Sequence, residues 1–427
     1  MTTVLTALTH RHESAFVEVL HGAFGVTLVR RCADVAELLS AGAAGVARVA
    51  VVSPDLRGLD RDALRHLAGH GVRVAGLVAG DDEEGDRRLR QLGVATILRP
   101  GDDAEAVASA LTALAGATTS HPGVPLAPDP LDAFDPSDDD GDEGAAVPSP
   151  VTVVWGPTGA PGRTTVAVTL AAQLAAGGVR TLLVDLDTWG ACVAQVLGMV
   201  DEAPGVAAAA RASEQGGLDA PALARLAPEV VPRLRVLTGL PRADRWPELR
   251  AGAVEDVLRL ARGVAEHVVV DTGFAVEDDE ELSYDTAAPR RNAATLTALE
   301  AADHLVVVGA ADPVGLQRLV RAVQDVAVLP SPRPTVVVTK VRASVAGRRP
   351  ERAIADVLRR FAGMDAVRFL PWAPDECDAA LLAGRSLVEV APKADLTVAV
   401  GELAADLDPR AAAPSAGGRR TASRARR

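Results

Sequence analysis

Short apolar runs alternate with amphipathic stretches along two long tracts of the 427-residue chain. In residues 1–115 the runs at 4–8, 26–29, 49–52, 74–78 and 95–98 predict strands. The stretches near 12–23, 34–45, 60–69, 82–92 and 103–115 predict helices. A strand with one face in water alternates polar and apolar residues. These runs are short and largely apolar, which predicts a parallel sheet covered on both faces. Residues 150–405 resume the alternation. A β run at 151–155 leads into a Gly/Pro-rich loop at 156–162, and an amphipathic helix at 163–176 follows and ends at Gly177-Gly178. The pattern predicts α/β architecture twice: five βα units, then a larger, mostly parallel sheet.

Composition changes the picture between and after these tracts. Residues 116–149 carry eight acids and no Lys or Arg, with many Pro and Gly. Such a segment buries too little apolar surface to offset its ordering entropy, so a disordered acidic linker is expected. Residues 406–427 are expected to be a disordered basic tail, with six arginines from Arg410 onward. No Leu, Phe or Trp follows Leu407, so an amphipathic anchoring helix is not expected there. At most the tail touches anionic membrane weakly. The net charge of −13 argues against a surface built for nucleic acid. Three scattered cysteines exclude a zinc finger and a disulfide scaffold, and fit a reducing cytoplasm. The first residues lack a signal-peptide pattern, and no run of about 18 apolar residues predicts a membrane span. Of 44 basic residues, only Lys340 and Lys393 are lysine.

The five βα units resemble a response-regulator receiver domain, a flavodoxin-like fold, but in degenerate form. A receiver holds Mg²⁺ with two carboxylates after its first strand; this chain has Leu8-Thr9-His10 there. The acceptor aspartate at the end of the third strand is replaced by Ser53, with Asp55 two places late. The lysine after the fifth strand is replaced by Arg99. The domain is therefore expected to dock partners and to take no phosphate, with Asp55 an ordinary loop acid.

The densest chemistry lies at 151–178. Strand, glycine loop and helix N-terminus together make an anion site, because free backbone N–H groups and the helix dipole both favour phosphate. Aligned with G-x-x-x-x-G-K-[ST] on Gly162, the chain has Pro157 for the first Gly, Arg163 for the Lys and Thr164 for the hydroxyl. Further along, a strand ends in Asp185 and Asp187. Another carries Asp271 at its tip, and later strands lead to Asp312 and to Thr339-Lys340. In this order the parts resemble the MinD/ParA deviant-Walker ATPases, whose loop reads KGGxGKTT, over all of residues 150–400. Residues 369–371 resemble the family's adenine-covering loop. A dinucleotide-binding domain would need G-x-G-x-x-G, which is absent.

The resemblance implies a P-loop domain with a sheet of seven or eight strands that binds ATP and Mg²⁺. It implies a phosphate cradle of Gly159, Ala160, Pro161, Gly162, Arg163, Thr164 and Thr165. Thr164, Asp185 and Asp271 would serve the metal, and Asp187 would orient the attacking water. The family's signature lysine, which reaches across a dimer to the partner's phosphates, falls at Thr158. With Arg163 and Thr158 in place of both lysines, hydrolysis is expected to be weak or absent. Arg290 and Arg291 are candidate replacements. The acidic run at 277–281 reads equally as a partner surface or a solvated helix start. Trp155 reads as packing, and the cysteines as inert.

A receiver-like domain, a linker and a MinD/ParA-type nucleotide domain together resemble the CpaE/TadZ branch and actinobacterial septum-site-determining proteins. That implies a cytoplasmic, homodimeric spatial regulator. It would place division-septum or Flp pilus machinery, with protein partners at septum or pole and recruitment to the membrane there. The alternatives are a non-hydrolysing scaffold of the same fold and a ParA-type partitioning ATPase. DNA is not the expected partner, because the nucleotide tract has no dense basic cluster. A nitrogenase-type reductase would need cluster cysteines that Cys192 and Cys377 do not supply.

Overall fold

The computed structural model describes residues 1–116, 149–159, 161–199, 205–277 and 289–412. Residues 117–148 of the expected linker, Ala160, residues 278–281 of the acidic run and residues 413–427 of the expected tail lie outside the described residues, whereas residues 406–412, expected in the disordered tail, close the last helix and form a short turn capped by Asp408. The chain forms two compact units, the first holding the N-terminal sheet and the second the larger one.

In the first unit, β1 (Thr2–Ala7), β2 (Val26–Arg31), β3 (Val49–Val52), β4 (Arg73–Leu77) and β5 (Thr96–Leu98) form a parallel sheet in the order β2-β1-β3-β4-β5. This is the flavodoxin-like order expected of a receiver-like domain. Successive residues of a strand face opposite sides, so Leu5 joins Leu38, Leu67 and Leu89 in one core. Val4 joins Phe16, Leu20 and Leu111 in another. Four helices start on an aspartate whose side chain accepts a backbone N–H: Asp34 from Glu37, Asp60 from Ala63, Asp82 from Gly85 and Asp103 from Ala106. Each cap satisfies an orphan donor, worth about 1 kcal/mol.

At the carboxyl ends of these strands the polar groups satisfy one another. The Thr9 amide donates to Ser53 Oγ at 3.0 Å, and the Thr9 hydroxyl donates to Asp55 at 3.1 Å. Arg99 pairs with Asp86 at 2.9 Å and donates to the Ala79 carbonyl at 3.0 Å. Asp55 is exposed and has no second carboxylate to share a metal with it in this network. Incubation with a small-molecule phosphodonor should therefore leave the intact mass unchanged. A phosphoryl adduct on Asp55 would overturn that expectation.

In the second unit, β6 (Val151–Trp155), β7 (Thr181–Leu186), β8 (Glu229–Val231), β9 (Leu234–Leu237), β10 (His267–Thr272), β11 (His304–Ala310), β12 (Pro334–Val341) and β13 (Val367–Pro371) form one sheet. Its order is β13-β12-β11-β6-β10-β7-β9-β8. Only the β8–β9 pair is antiparallel. β6 and β7 are buried at every position, which explains their largely apolar sequences. The helix Arg163–Ala176 lays Leu170 and Leu174 against Leu183, Val269 and Val306, and the helix Asp395–Leu407 adds Val400 and Leu403 to the same core. Gln173 ties the two helices by donating to the Thr397 carbonyl at 2.7 Å. At the amino end of β10, fully buried His267 bonds Thr152 at 2.8 Å and Asp408 at 2.9 Å, which fixes the chain just beyond that last helix. Among the described residues no helix is long and apolar enough to cross a membrane.

Candidate functional site

The loop after β6 lies at the carboxyl edge of the sheet, between the ends of β10 and β11, the edge where open α/β sheets hold ligands. Gly162 takes a left-handed conformation (φ 97°) that a side chain would strain, and so turns the loop into the helix. No side chain caps that helix, so its first N–H groups face the loop. Gly159, Pro161, Gly162, Arg163, Thr164 and Thr165 are therefore gathered at one turn, with Ala160 outside the described residues.

Arg163 does not extend into the loop. Its guanidinium folds back and donates to the carbonyls of Gly156 and Pro157 at 3.2 Å each and to Thr272 at 3.1 Å. It also pairs with Asp187 at 3.3 Å, with both side chains largely buried. A planar fork with five donors can reach all four acceptors at once; an ammonium could not. The other oxygen of Asp187 accepts the amides of Trp189 and Gly190 at 2.9 and 3.0 Å. Both Asp187 oxygens are thus engaged.

Beside this clamp stand two further buried acids. Thr164 donates its hydroxyl to Asp271 Oδ2 at 2.6 Å, and Asp271 Oδ1 is buried with no hydrogen-bond partner. Asp185 accepts the amides of Asp187 and Val193 at 3.1 Å each. Burial, seconded by the charge of Asp185, holds the Asp271 carboxyl well above the usual carboxylate range. Burial also pushes Asp185 up to about 7, against the pull of its amide donors. No group of three or more His, Cys, Asp or Glu among the described residues is arranged to hold a metal unaided. The donor set is one hydroxyl and nearby carboxylates with an orphaned oxygen. It fits a hard cation completed by phosphate oxygens and water.

Several neighbours complete the surroundings of the loop, among them the candidate cation Arg291. Cys192 Sγ lies 3.7 Å from the Thr164 hydroxyl, and burial raises its thiol pKa, which suits an unreactive thiol. Arg291 stacks 3.7 Å over the Trp189 ring and donates to the Thr188 hydroxyl at 2.8 Å. It is committed to the segment after Asp187. Trp189 in turn meets Phe274, three residues beyond Asp271, with ring centroids 5.1 Å apart. The segments that follow the two strand-tip acids are therefore joined through aromatic contact. Thr339, at the end of β12, donates to the Pro161 carbonyl at 2.5 Å and so braces the loop from the other side. Trp155 is buried as packing.

A family model for the CobQ/CobB/MinD/ParA nucleotide binding domain matches residues 152–381. No curated protein matches the chain. Among solved structures, a ParA family ATPase from Chlorobium tepidum TLS has a TM-score of 0.51 at 18% identity, covering 60% of this chain and 98% of that one. That likeness shows a shared fold. The septum site-determining protein MinD from Pyrococcus horikoshii OT3, solved with Mg-ADP, has a TM-score of 0.47 at 19% identity, covering 62% and 97%.

Proposed function

The chain belongs to the CobQ/CobB/MinD/ParA nucleotide-binding family, and we propose that its second unit binds ATP with Mg²⁺ to act as a spatial regulator with weak or no hydrolysis. The machinery it would place is that of the division septum or the pilus. The observation that carries the low-turnover part is the Arg163–Asp187 pair. The carboxylate best placed to orient water already has both oxygens occupied, and the loop cation is spent on the protein's own carbonyls.

In this reading the backbone N–H groups of Gly159, Gly162, Arg163, Thr164 and Thr165 would hold the phosphates. Thr164 and Asp271 would hold the cation, which would give Asp271 Oδ1 the partner it lacks. Asp185 stands behind, fixing the turn at Asp187 through its amide bonds. A bound Mg²⁺ supplies neutralisation of charge on the β- and γ-phosphate oxygens. Homodimerisation and protein partners at septum or pole belong to the same proposal, as do a cytoplasmic location and recruitment to the membrane. Weak contact of the basic tail with anionic lipid belongs to it too.

The same pair also favours a second reading, a scaffold that binds nucleotide and never turns it over. The acidic net charge ranks a DNA-partitioning role below both. Titration calorimetry of the full chain with ATP in Mg²⁺ tests the premise common to all three. Binding is expected, weaker than at a lysine loop, because Arg163 points away from the phosphates. No heat up to millimolar ATP would refute nucleotide binding.

A further inference from the structure

We propose that Arg318 supplies, from within the same chain, the phosphate-facing cation that the loop itself lacks. The inference rests on the reading that the loop binds a nucleoside triphosphate.

Two arginines around the loop are committed elsewhere. Arg163 is folded back onto four acceptors. Arg291 is stacked on Trp189 and bonded to Thr188. Arg318 differs. It sits on the helix Pro313–Val326, whose start is fixed by Asp312 accepting the amides of Val314 and Gly315 at 3.1 and 3.0 Å. That helix follows β11, the strand next to β6 in the sheet, so its first turns stand beside the loop.

From there Arg318 lies across the loop and donates Nη1 to the Thr158 carbonyl at 3.3 Å. A Cβ at Gly159 would collide with the same nitrogen, so a bare glycine with φ +106° is what lets the guanidinium lie there. The side chain is exposed, and no ion pair with a described carboxylate holds it. One long hydrogen bond to a carbonyl is a weak restraint for a charged fork. Arg318 is therefore free to exchange that carbonyl for phosphate oxygens, with charge-assisted and bidentate bonds as the gain. It does so at the residue where a neutral threonine has replaced the family's cation. Because Gly159 begins the cradle, the contact falls on the terminal phosphate end, and the benefit should be larger for a triphosphate than for a diphosphate.

The test is calorimetric titration of the full chain with ATP and with ADP, both in Mg²⁺, on wild type, Arg318→Ala and Arg318→Lys. Because Arg318 is exposed, both variants should melt as wild type does. Arg318→Ala is expected to weaken ATP binding about tenfold or more while changing ADP affinity less than about twofold. Arg318→Lys should recover part of the ATP affinity. Equal losses for the two nucleotides would mean that Arg318 only braces the loop, and would overturn the proposal, as would unchanged ATP affinity. If wild type itself binds neither nucleotide, the underlying nucleotide reading fails, a result distinct from a wild type that binds both and a variant that matches it.

Discussion

Thr158→Lys combined with Arg163→Lys should raise steady-state phosphate release by about 10²-fold or more, while either change alone raises it little. The reason lies in what each cation touches. A lysine at 163 has one ammonium, which cannot bridge the Gly156, Pro157 and Thr272 carbonyls and Asp187 together. It would turn into the loop and bind phosphate in ground and transition states alike, which tightens ATP without lowering the barrier. The same change releases one oxygen of Asp187, a necessary step that is not sufficient. Lysine at 158 adds a cation where charge develops as the terminal phosphoryl group leaves. Only the double variant adds a lysine at 158 to the freed carboxylate, beyond what Arg318 supplies. Adding Asp187→Ala to it should return phosphate release to the wild-type level. If wild type already turns over as fast as the double variant, the clamp does not limit hydrolysis.

The parts of this site that follow from local pattern were legible in the sequence. A strand, a glycine turn and a helix start need only neighbouring residues, so the loop at 156–165 is readable. The strand-tip acids Asp185, Asp187 and Asp271 announce themselves by closing apolar runs. The five βα units of the first domain are readable for the same reason. What the pattern does not carry is the direction of a side chain. The alignment puts Arg163 in the lysine's place, yet its rotamer is decided by the Thr272 carbonyl, 109 residues away. Arg318 meets Thr158 across 160 residues and has no motif of its own. Arg290 and Arg291 read as a pair of candidate cations, and Trp189 claims Arg291 through a contact between separate loops. The edge strand β8 and its neighbour β9 are three and four residues long, too short to show a period.

Asp271→Asn should make the nucleotide-free protein more stable at pH 8 and abolish the benefit of Mg²⁺ for nucleotide binding. Asp271 and Asp185 are both essentially without solvent, and one oxygen of Asp271 has no donor at all. Burial raises the folded-state pKa of each above its unfolded value, to about 7 for Asp185. A carboxylate shifted upward binds a proton more readily in the folded chain, so folding takes up protons between about pH 4 and the raised folded values. Its cost is absent below the unfolded pKa, grows with pH from there and levels off above the folded one. The nucleotide-free protein should therefore melt at a lower temperature at pH 8 than at pH 5.5. The substituted amide carries no charge to desolvate and still offers a carbonyl to the Thr164 hydroxyl, so it removes the larger part of that slope. A rise in melting temperature of about 5 °C at pH 8 is expected, with much less at pH 5.5. Calorimetry with ADP should then show affinity that no longer depends on Mg²⁺. The two effects have one origin: a buried carboxylate with one oxygen unpartnered destabilises the empty fold until a cation arrives. A variant that is less stable at pH 8 and still responds to Mg²⁺ would show that Asp271 is held by protein contacts alone.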